Sequence, residues 1–198
     1  MRATLLDAAE ALIREEGYAA ATARRIASRV GLKHQVIFYY FGSQDELLLE
    51  VLRRATHAHR QRLDAALASA HPLSALWDLN RDPEATRFTL EFMALANHNE
   101  GIRAEIARNA EETRKLEAGA IDLHLKQRGI EARLSPQLVS ILTSALARLL
   151  VQEANLGIHF GHHEVEALAE ASFRRFESTG ATDEGVEAIV GAMSSSPK

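Results

Sequence analysis

Residues 17–44, GYAAATARRIASRVGLKHQVIFYYFGSQ, decide how this chain is read. They contain no aspartate or glutamate, yet they carry Arg24, Arg25, Arg29, Lys33 and His34 and close on the aromatic run Phe38, Tyr39, Tyr40, Phe41. Acidic residues stand immediately outside on both sides, at Glu15 and Glu16 and at Asp45 and Glu46. The chain holds 27 acidic residues in 198 and a net charge of −4, so an acid-free window of this length departs from the composition around it. Such a window suits a surface that meets a phosphate backbone, because a carboxylate beside a phosphate costs Coulomb energy.

The same window predicts two short helices joined by a tight turn. Thr22 has the chemistry of an N-cap, and Ala23 to Val30 follows with Ile26 and Ala27 turned inward and Arg24, Arg25 and Arg29 outward. Gly31 supplies a left-handed residue to end the helix, and Leu32 anchors the turn. In a second helix from Lys33 to Tyr40, Ile37 and Phe41 share the buried side, and Gln35 and Tyr39 point away from it, flanked by Val36 and Phe38. A glycine turn between two short amphipathic helices is the pattern of a helix-turn-helix, whose second helix enters the major groove.

Five further pieces carry a family resemblance: Leu5-Leu6-Asp7-Ala8-Ala9, Glu16-Gly17-Tyr18, Thr22 with Ile26-Ala27, Val30-Gly31-Leu32, and Phe38-Tyr39-Tyr40-Phe41-Gly42-Ser43-Gln44-Asp45-Glu46-Leu47-Leu48. In order and spacing they resemble the N-terminal domain of the TetR family of bacterial transcriptional regulators, over about the first 55 residues. The resemblance implies an all-α fold: a three-helix N-terminal helix-turn-helix DNA-binding domain in residues 1–55, and a C-terminal helical domain in 56–198 that binds an effector and dimerises. It also implies a cytoplasmic regulator, with operator DNA, a small-molecule effector and a second copy of the chain as partners.

The expected DNA contacts are Thr22, Arg24, Arg25 and Arg29 in the first helix and its cap, Lys33, His34, Gln35, Val36, Tyr39 and Tyr40 in the second, and Gln44 beyond it. Several positions depart from the family pattern. Lys33 stands where a small hydroxylated residue usually opens the recognition helix, Val36 where threonine is common, Phe38 where tyrosine is common and Gln44 where lysine is common. The last two remove typical phosphate contacts, and the cation at Lys33 offsets them by reaching a phosphate or a guanine edge. Val36 has only a thymine methyl to meet. Only Met1 and Arg2 precede the first helix here, so this reading includes no basic N-terminal arm.

Composition sets outer limits. The length suffices to bury a proper core as one large domain or two small ones. Without cysteine, neither disulfides nor a thiolate metal site can form. Neither a signal-peptide h-region nor a run near the ~20 apolar residues of a membrane span occurs.

Punctuation then divides the rest into helices. Ser43 and Glu46 have capping-box spacing, so a long helix starts at Gln44 and runs toward Ser69 as the link between domains. His71-Pro72 breaks it, and Asp82-Pro83-Glu84 opens a helix to about Asn97. Others are expected over about 101–128, from Ser135-Pro136 to Gly157, and over about 164–177. A short amphipathic piece at Val186, Ile189, Val190 and Met193 and a disordered 194–198 complete the chain.

The helix after Ser135 is apolar on more sides than one core uses. Leu138, Ile141, Leu142, Ala145, Leu146 and Leu149 form a stripe that Val139, Leu150, Val151 and Ala154 broaden. The next helix offers Val165, Leu168, Phe173 and Phe176, with small Ala167 and Ala171. Repeated by a two-fold axis, this pair makes an intermolecular four-helix bundle, the alternative being burial within one subunit. For the effector, Trp77, Leu79, Phe88, Phe92, Met93, Leu95, Leu116, Ile121 and Leu125 suggest an apolar cavity, with Asn97, His98, Asn99, Thr113 and His124 as orienting polar groups. The apolar bias points to a hydrophobic or amphipathic molecule. An effector beside Phe88, Phe92 and His124 would act by tilting the linking helix.

His159, His162 and His163 cluster, but without the i, i+4 or Glu-x-x-His pairing that bundle metal sites use, so neither metal nor cofactor is expected. The absence of a nucleophile elbow, a Gly-rich phosphate loop or paired carboxylates argues against an enzyme. An enzyme on a helical scaffold and a helical dimer that ignores DNA are the alternatives.

Overall fold

The computed structural model describes residues 1–129 and 134–177. Among the described residues there are nine α-helices and no strand: α1 (Arg2–Glu16), α2 (Ala23–Arg29), α3 (Gln35–Phe41), α4 (Gln44–Leu67), α5 (Pro72–Asn80), α6 (Pro83–Ala96), α7 (Glu100–Arg128), α8 (Pro136–Asn155) and α9 (His162–Glu177). A single 3-10 turn, Tyr18–Ala20, joins α1 to the segment before α2. The all-α expectation holds. The piece at Val186 to Met193 and the tail after it lie outside the described residues.

The predicted caps form. Ser43 Oγ accepts the Glu46 N–H at 3.0 Å to open α4, and Ser135 Oγ accepts the Leu138 N–H at 3.2 Å to open α8. Helix α5 was not anticipated: Pro72 ends nothing but takes the first turn of a new helix, where its missing N–H costs no bond. Its Leu73, Leu76, Trp77 and Asn80 repeat at i, i+3, i+4 and i+7, and all four are buried.

The chain packs as two compact units, residues 1–61 with 83–111 and residues 62–82 with 112–198. The units are not continuous in sequence: α6 and the first part of α7 belong to the unit that holds α1 to α3. Nor is α4 the only covalent link, since the chain passes between units at 61/62, 82/83 and 111/112.

In the first unit Leu5, Ile13, Ile26, Ile37, Leu47 and Val51 are fully buried around Phe92. The Phe88 and Phe92 rings lie 5.0 Å apart, and the Arg14 guanidinium covers Phe88 at 4.4 Å. Arg54 on α4 bridges Asp7 at 2.6 Å and Glu10 at 2.7 Å on α1. Burial would raise the Glu10 carboxyl, but hydrogen bonds from Arg14 and Arg54 outweigh it and hold the group below its ordinary range. On α7 the buried Glu105 accepts from Arg53 at 3.2 Å, Arg108 at 2.5 Å and Asn109 at 3.1 Å.

In the second unit Leu73, Trp77, Ile121, Leu125, Ala147, Leu150, Ala169 and Phe173 form the apolar cluster, with Trp77 and Phe173 edge-on at 5.6 Å. Helix α8 is inverted relative to an ordinary surface helix. Its buried side is Ser140, Thr143, Ser144, Ala147, Leu150 and Val151, and its outward side is largely leucine and isoleucine.

Phe92 is 1% exposed in the core of the first unit. Phe92→Ala is therefore expected to cost about 3–5 kcal/mol of stability, read as a lower urea midpoint by circular dichroism. An unchanged midpoint would show that the ring is not a core anchor.

Candidate nucleic-acid interface

The angle between α2 and α3 is fixed by the turn at Gly31. The Leu32 N–H bonds back to Ala27 O at 2.8 Å and the Gly31 N–H to Ser28 O at 3.0 Å, with Gly31 at φ 72°. This is the paired-bond glycine stop that satisfies the last carbonyls of a helix. Two groups cap the other end of α2. Thr22 Oγ1 lies 3.4 Å from the Arg25 N–H, a long contact, and Gln44 Oε1 accepts the Ala23 N–H at 2.8 Å. Gln44, expected to meet DNA, thus has its carbonyl oxygen committed to the fold.

Helix α3 starts at Gln35 with His34 as its N-cap, two residues later than the sequence suggests. Ile37 and Phe41 are buried, as their spacing requires, and Lys33, His34 and Gln35 are exposed. Tyr39 is 82% exposed and stands edge-on to the half-buried Tyr40 at 5.0 Å. Val36 is half-buried against the core. Phe38 is exposed, edge-on to the His34 ring at 6.3 Å.

The acid-free window is not acid-free in space. The end of α1 brings Glu16 to Arg25 at 2.6 Å and Glu15 to both terminal nitrogens of Arg29, at 2.8 and 2.6 Å. The hydrogen bond from Arg29 holds the Glu15 carboxyl below its ordinary range. An open hollow of about 390 Å³ between α1 and α2 is lined by Leu12, Glu16, Arg24, Arg25, Ser28 and Arg29, so one carboxylate shares it with three guanidiniums. Arg24 and Lys33 make no ion pair among the described residues. The electrostatic face therefore rests on Arg24 and Lys33 outright and on Arg25 and Arg29 in competition with Glu16 and Glu15.

The residues expected to line an effector cavity divide between the units. Phe88 and Phe92 belong to the apolar core beside α1, and in the same unit Met93 is 52% exposed and His98 is exposed. Trp77 is buried in the other unit, where Thr113, Leu116 and His124 are half-buried. Of the expected dimer residues, Leu138, Ile141, Leu142, Ala145, Leu149 and Leu168 are exposed, as an unmatched face requires. Phe173 is buried on Trp77, and Leu146, Val165 and Phe176 pack against the same cluster, so these four serve the subunit's own core. The sequence reading passed over Glu117, which lies on the inward stripe of α7 with Ala118, Ile121 and Leu125. Its spacing to Ile121 and Leu125 was the available signal.

The geometry so far defines the class: an all-helical protein that presents a helix-turn-helix from its N-terminal unit. Residues 5–51 match the family model described as bacterial regulatory proteins, tetR family. Three solved structures are similar over most of the chain. A protein from Saccharomonospora viridis, assigned as a transcriptional regulator and solved in complex with choline, is 27% identical with a TM-score of 0.70, covering 79% of this chain and 85% of that one. A TetR transcription regulator from Haloarcula marismortui is 19% identical with a TM-score of 0.70, covering 89% and 95%. FadR from Bacillus subtilis, in complex with stearoyl-CoA, is 17% identical with a TM-score of 0.66, covering 90% and 99%. The curated proteins yield no match. Over residues 5–51 the chain is similar to the tetR family, and over most of its length it shares its fold with these three solved structures.

Because Glu15 and Glu16 hold two cations of this face, replacing both by glutamine is expected to tighten binding to non-operator duplex and to steepen its salt dependence, by up to about two counterions. Fluorescence anisotropy across a salt series measures this. An unchanged slope would mean that Arg25 and Arg29 never exchange their carboxylates for phosphate.

Proposed function

We propose that the protein is a homodimeric repressor that binds a palindromic operator and is released from it by a small effector. The observation that carries this reading is the exposed side of α3 and of the turn before it, where Lys33, Gln35 and Tyr39 stand clear of a core that Ile37 and Phe41 fill. Lys33 and Arg24 supply phosphate contacts, joined by Arg25 and Arg29, and Gln35 and Tyr39 supply contacts to base edges. Thr22, His34, Val36, Tyr40 and the Gln44 amide complete the interface. In this reading residues 1–55 read DNA, residues 56–198 bind effector and dimerise, and the protein works in the cytoplasm. No described helix is long and apolar enough to cross a membrane.

The dimer reading is supported by the outer face of α8. Leu138, Ile141, Leu142, Ala145 and Leu149 form an uncharged stripe, with Leu168 of α9 also exposed. A stripe without charge is self-complementary under a two-fold axis, and a two-fold protein matches a palindromic site.

The effector reading rests on the C-terminal unit, which contains Trp77, Thr113, Leu116 and His124. The choline and stearoyl-CoA complexes of two structural neighbours support an amphipathic ligand. Helices α4 and α7 both run through the boundary between units, and each is a route by which the ligand biases DNA binding. The ligand acts only if it binds two conformations with different affinity, and operator must then weaken effector binding by the factor that effector weakens operator binding.

Selection from random duplexes is expected to return a palindrome. Lys33→Ala should weaken binding to all sequences, and Gln35→Ala should change the preferred bases more than the overall affinity. A selection with no enriched palindrome removes this reading.

For assembly, sedimentation at micromolar concentration should give the mass of a dimer. A charge placed at the outward position 149, which is 46% exposed in the subunit, should give monomers: Leu149→Glu would bury an unpaired carboxylate in the interface yet leave the subunit core intact. A wild-type monomer sinks the dimer.

A further inference from the structure

The interior of the C-terminal unit is more polar than a helical core needs. Glu117 on α7 is 3% exposed, and its carboxylate accepts from the Ser140 hydroxyl at 2.6 Å and the Ser144 hydroxyl at 3.3 Å, both on α8. Arg148, one turn beyond Ser144, donates to Asn80 Oδ1 at 3.2 Å and forms no ion pair with Glu117 among the described residues. Burial pushes the Glu117 carboxyl up, opposed by the two hydroxyls and by the positive fields of Arg148 and Arg114. The two arginines thus favour the ionised form without covering its oxygens. A carboxylate taken from water with no cation in contact is costly, and groups held this way gather at functional sites.

Its surroundings point to what it meets. Ile121 lies one turn after Glu117 on α7, and Ala147 lies one turn after Ser144 on α8. Residues at these spacings share a helix face, and both belong to the cluster of Trp77 and Phe173. The carboxylate therefore lies on the same faces of α7 and α8 as two members of that aromatic cluster. Within that cluster the Trp77 indole N–H is fully buried and meets no acceptor among the described residues, although buried indole N–H groups ordinarily find one.

We infer that Glu117 is the counter-ion for a small organic cation, an ammonium with apolar substituents, taken into the C-terminal unit as effector. The carboxylate contacts the cationic head, while Trp77 and Phe173 face its substituents, where a desolvated cation gains from aromatic faces. The Trp77 N–H then has an acceptor if the ligand carries a hydroxyl or carbonyl oxygen. At contact distance the carboxylate outweighs the more distant Arg148 and Arg114, because Coulomb energy falls with separation. An anionic effector would face Glu117 across a desolvated interior, and a purely apolar one would leave it without a cation. The inference rests on the effector-controlled regulator proposed above and names the ligand class of its C-terminal unit.

The test is thermal unfolding of the whole chain, wild type and Glu117→Gln, titrated with tetramethylammonium, a hydroxyethyl-trimethylammonium salt and the uncharged carbon isostere of the latter, at constant ionic strength. Wild type is expected to melt higher with the ammonium salts and not with the isostere. The folded pKa of Glu117 lies above its ordinary value, so the carboxyl subtracts stability as pH rises through that range. Glutamine keeps an acceptor for Ser140 and carries no charge, so the variant is expected to melt no lower than wild type without ligand. It is also expected to lose about tenfold or more in ammonium affinity. An equal response to ammonium and isostere in wild type overturns the inference without recourse to any variant. So does a variant that melts lower, or one that keeps the ammonium response, since either makes Glu117 a structural anchor. Selection of duplex DNA is scored separately: a palindrome without an ammonium response fails this inference alone, and an ammonium response without a palindrome fails the regulator reading alone.

Discussion

Everything the N-terminal unit presents to its surroundings depends on one backbone bond, the Leu32 N–H to Ala27 O, and on the positive φ of Gly31 that allows it. A Cβ at residue 31 would meet nothing within 4 Å, so space does not select glycine here. The left-handed backbone does. With that turn in place Ile37 falls into the core formed by α1, α2 and α4, and the opposite side of α3 has nowhere to go but outward. The identity of the outward residues is free to vary under that constraint, and so is the sequence they would read.

Much of this was legible because it is local. Caps at Thr22, Ser43 and Ser135, the glycine turn and the inward spacing of Ile37 and Phe41 are decided within a few residues, and the structure reproduces them. The partners of Arg25 and Arg29 were not legible. Glu16 and Glu15 precede them by 9 and 14 residues, and only the packing of α1 on α2 brings the four together. An acid-free interval in sequence is therefore weaker evidence for an acid-free surface than it looks. The same limit explains Phe88 and Phe92. Their spacing shows a buried face on α6 without saying which helix covers it, and the answer is α1.

Polarity on the inward side was the harder case. Ser140, Thr143 and Ser144 read as the solvent side of α8, and Glu117 reads as one of many helical glutamates. Once folded, the serines and the glutamate satisfy one another, and Leu138, Leu142 and Leu149 of α8 are left outside. A hydrophobic pattern ranks the faces of a helix by apolar content, so it misplaces a helix whose subunit-facing side is built from hydroxyls. Helix α5 escaped for a simpler reason: proline at residue 72 marks a start as readily as a stop, and the four buried positions after it decide between them.

Gln44 joins two elements that the sequence presents as separate. It is the first residue of the long helix α4, and its side chain holds the first N–H of α2 at 2.8 Å. The base of the shaft is thereby latched to the helix that props the reading head, and a sideways displacement of that base carries α2 with it as one piece. A rotation of α4 about its own long axis is different, because it swings the amide away from Ala23 and strips α2 of its shorter cap. The latch thus converts two kinds of motion into two outcomes, relocation of an intact head or loosening of its first helix. Exchange of the single Ala23 amide hydrogen tells them apart.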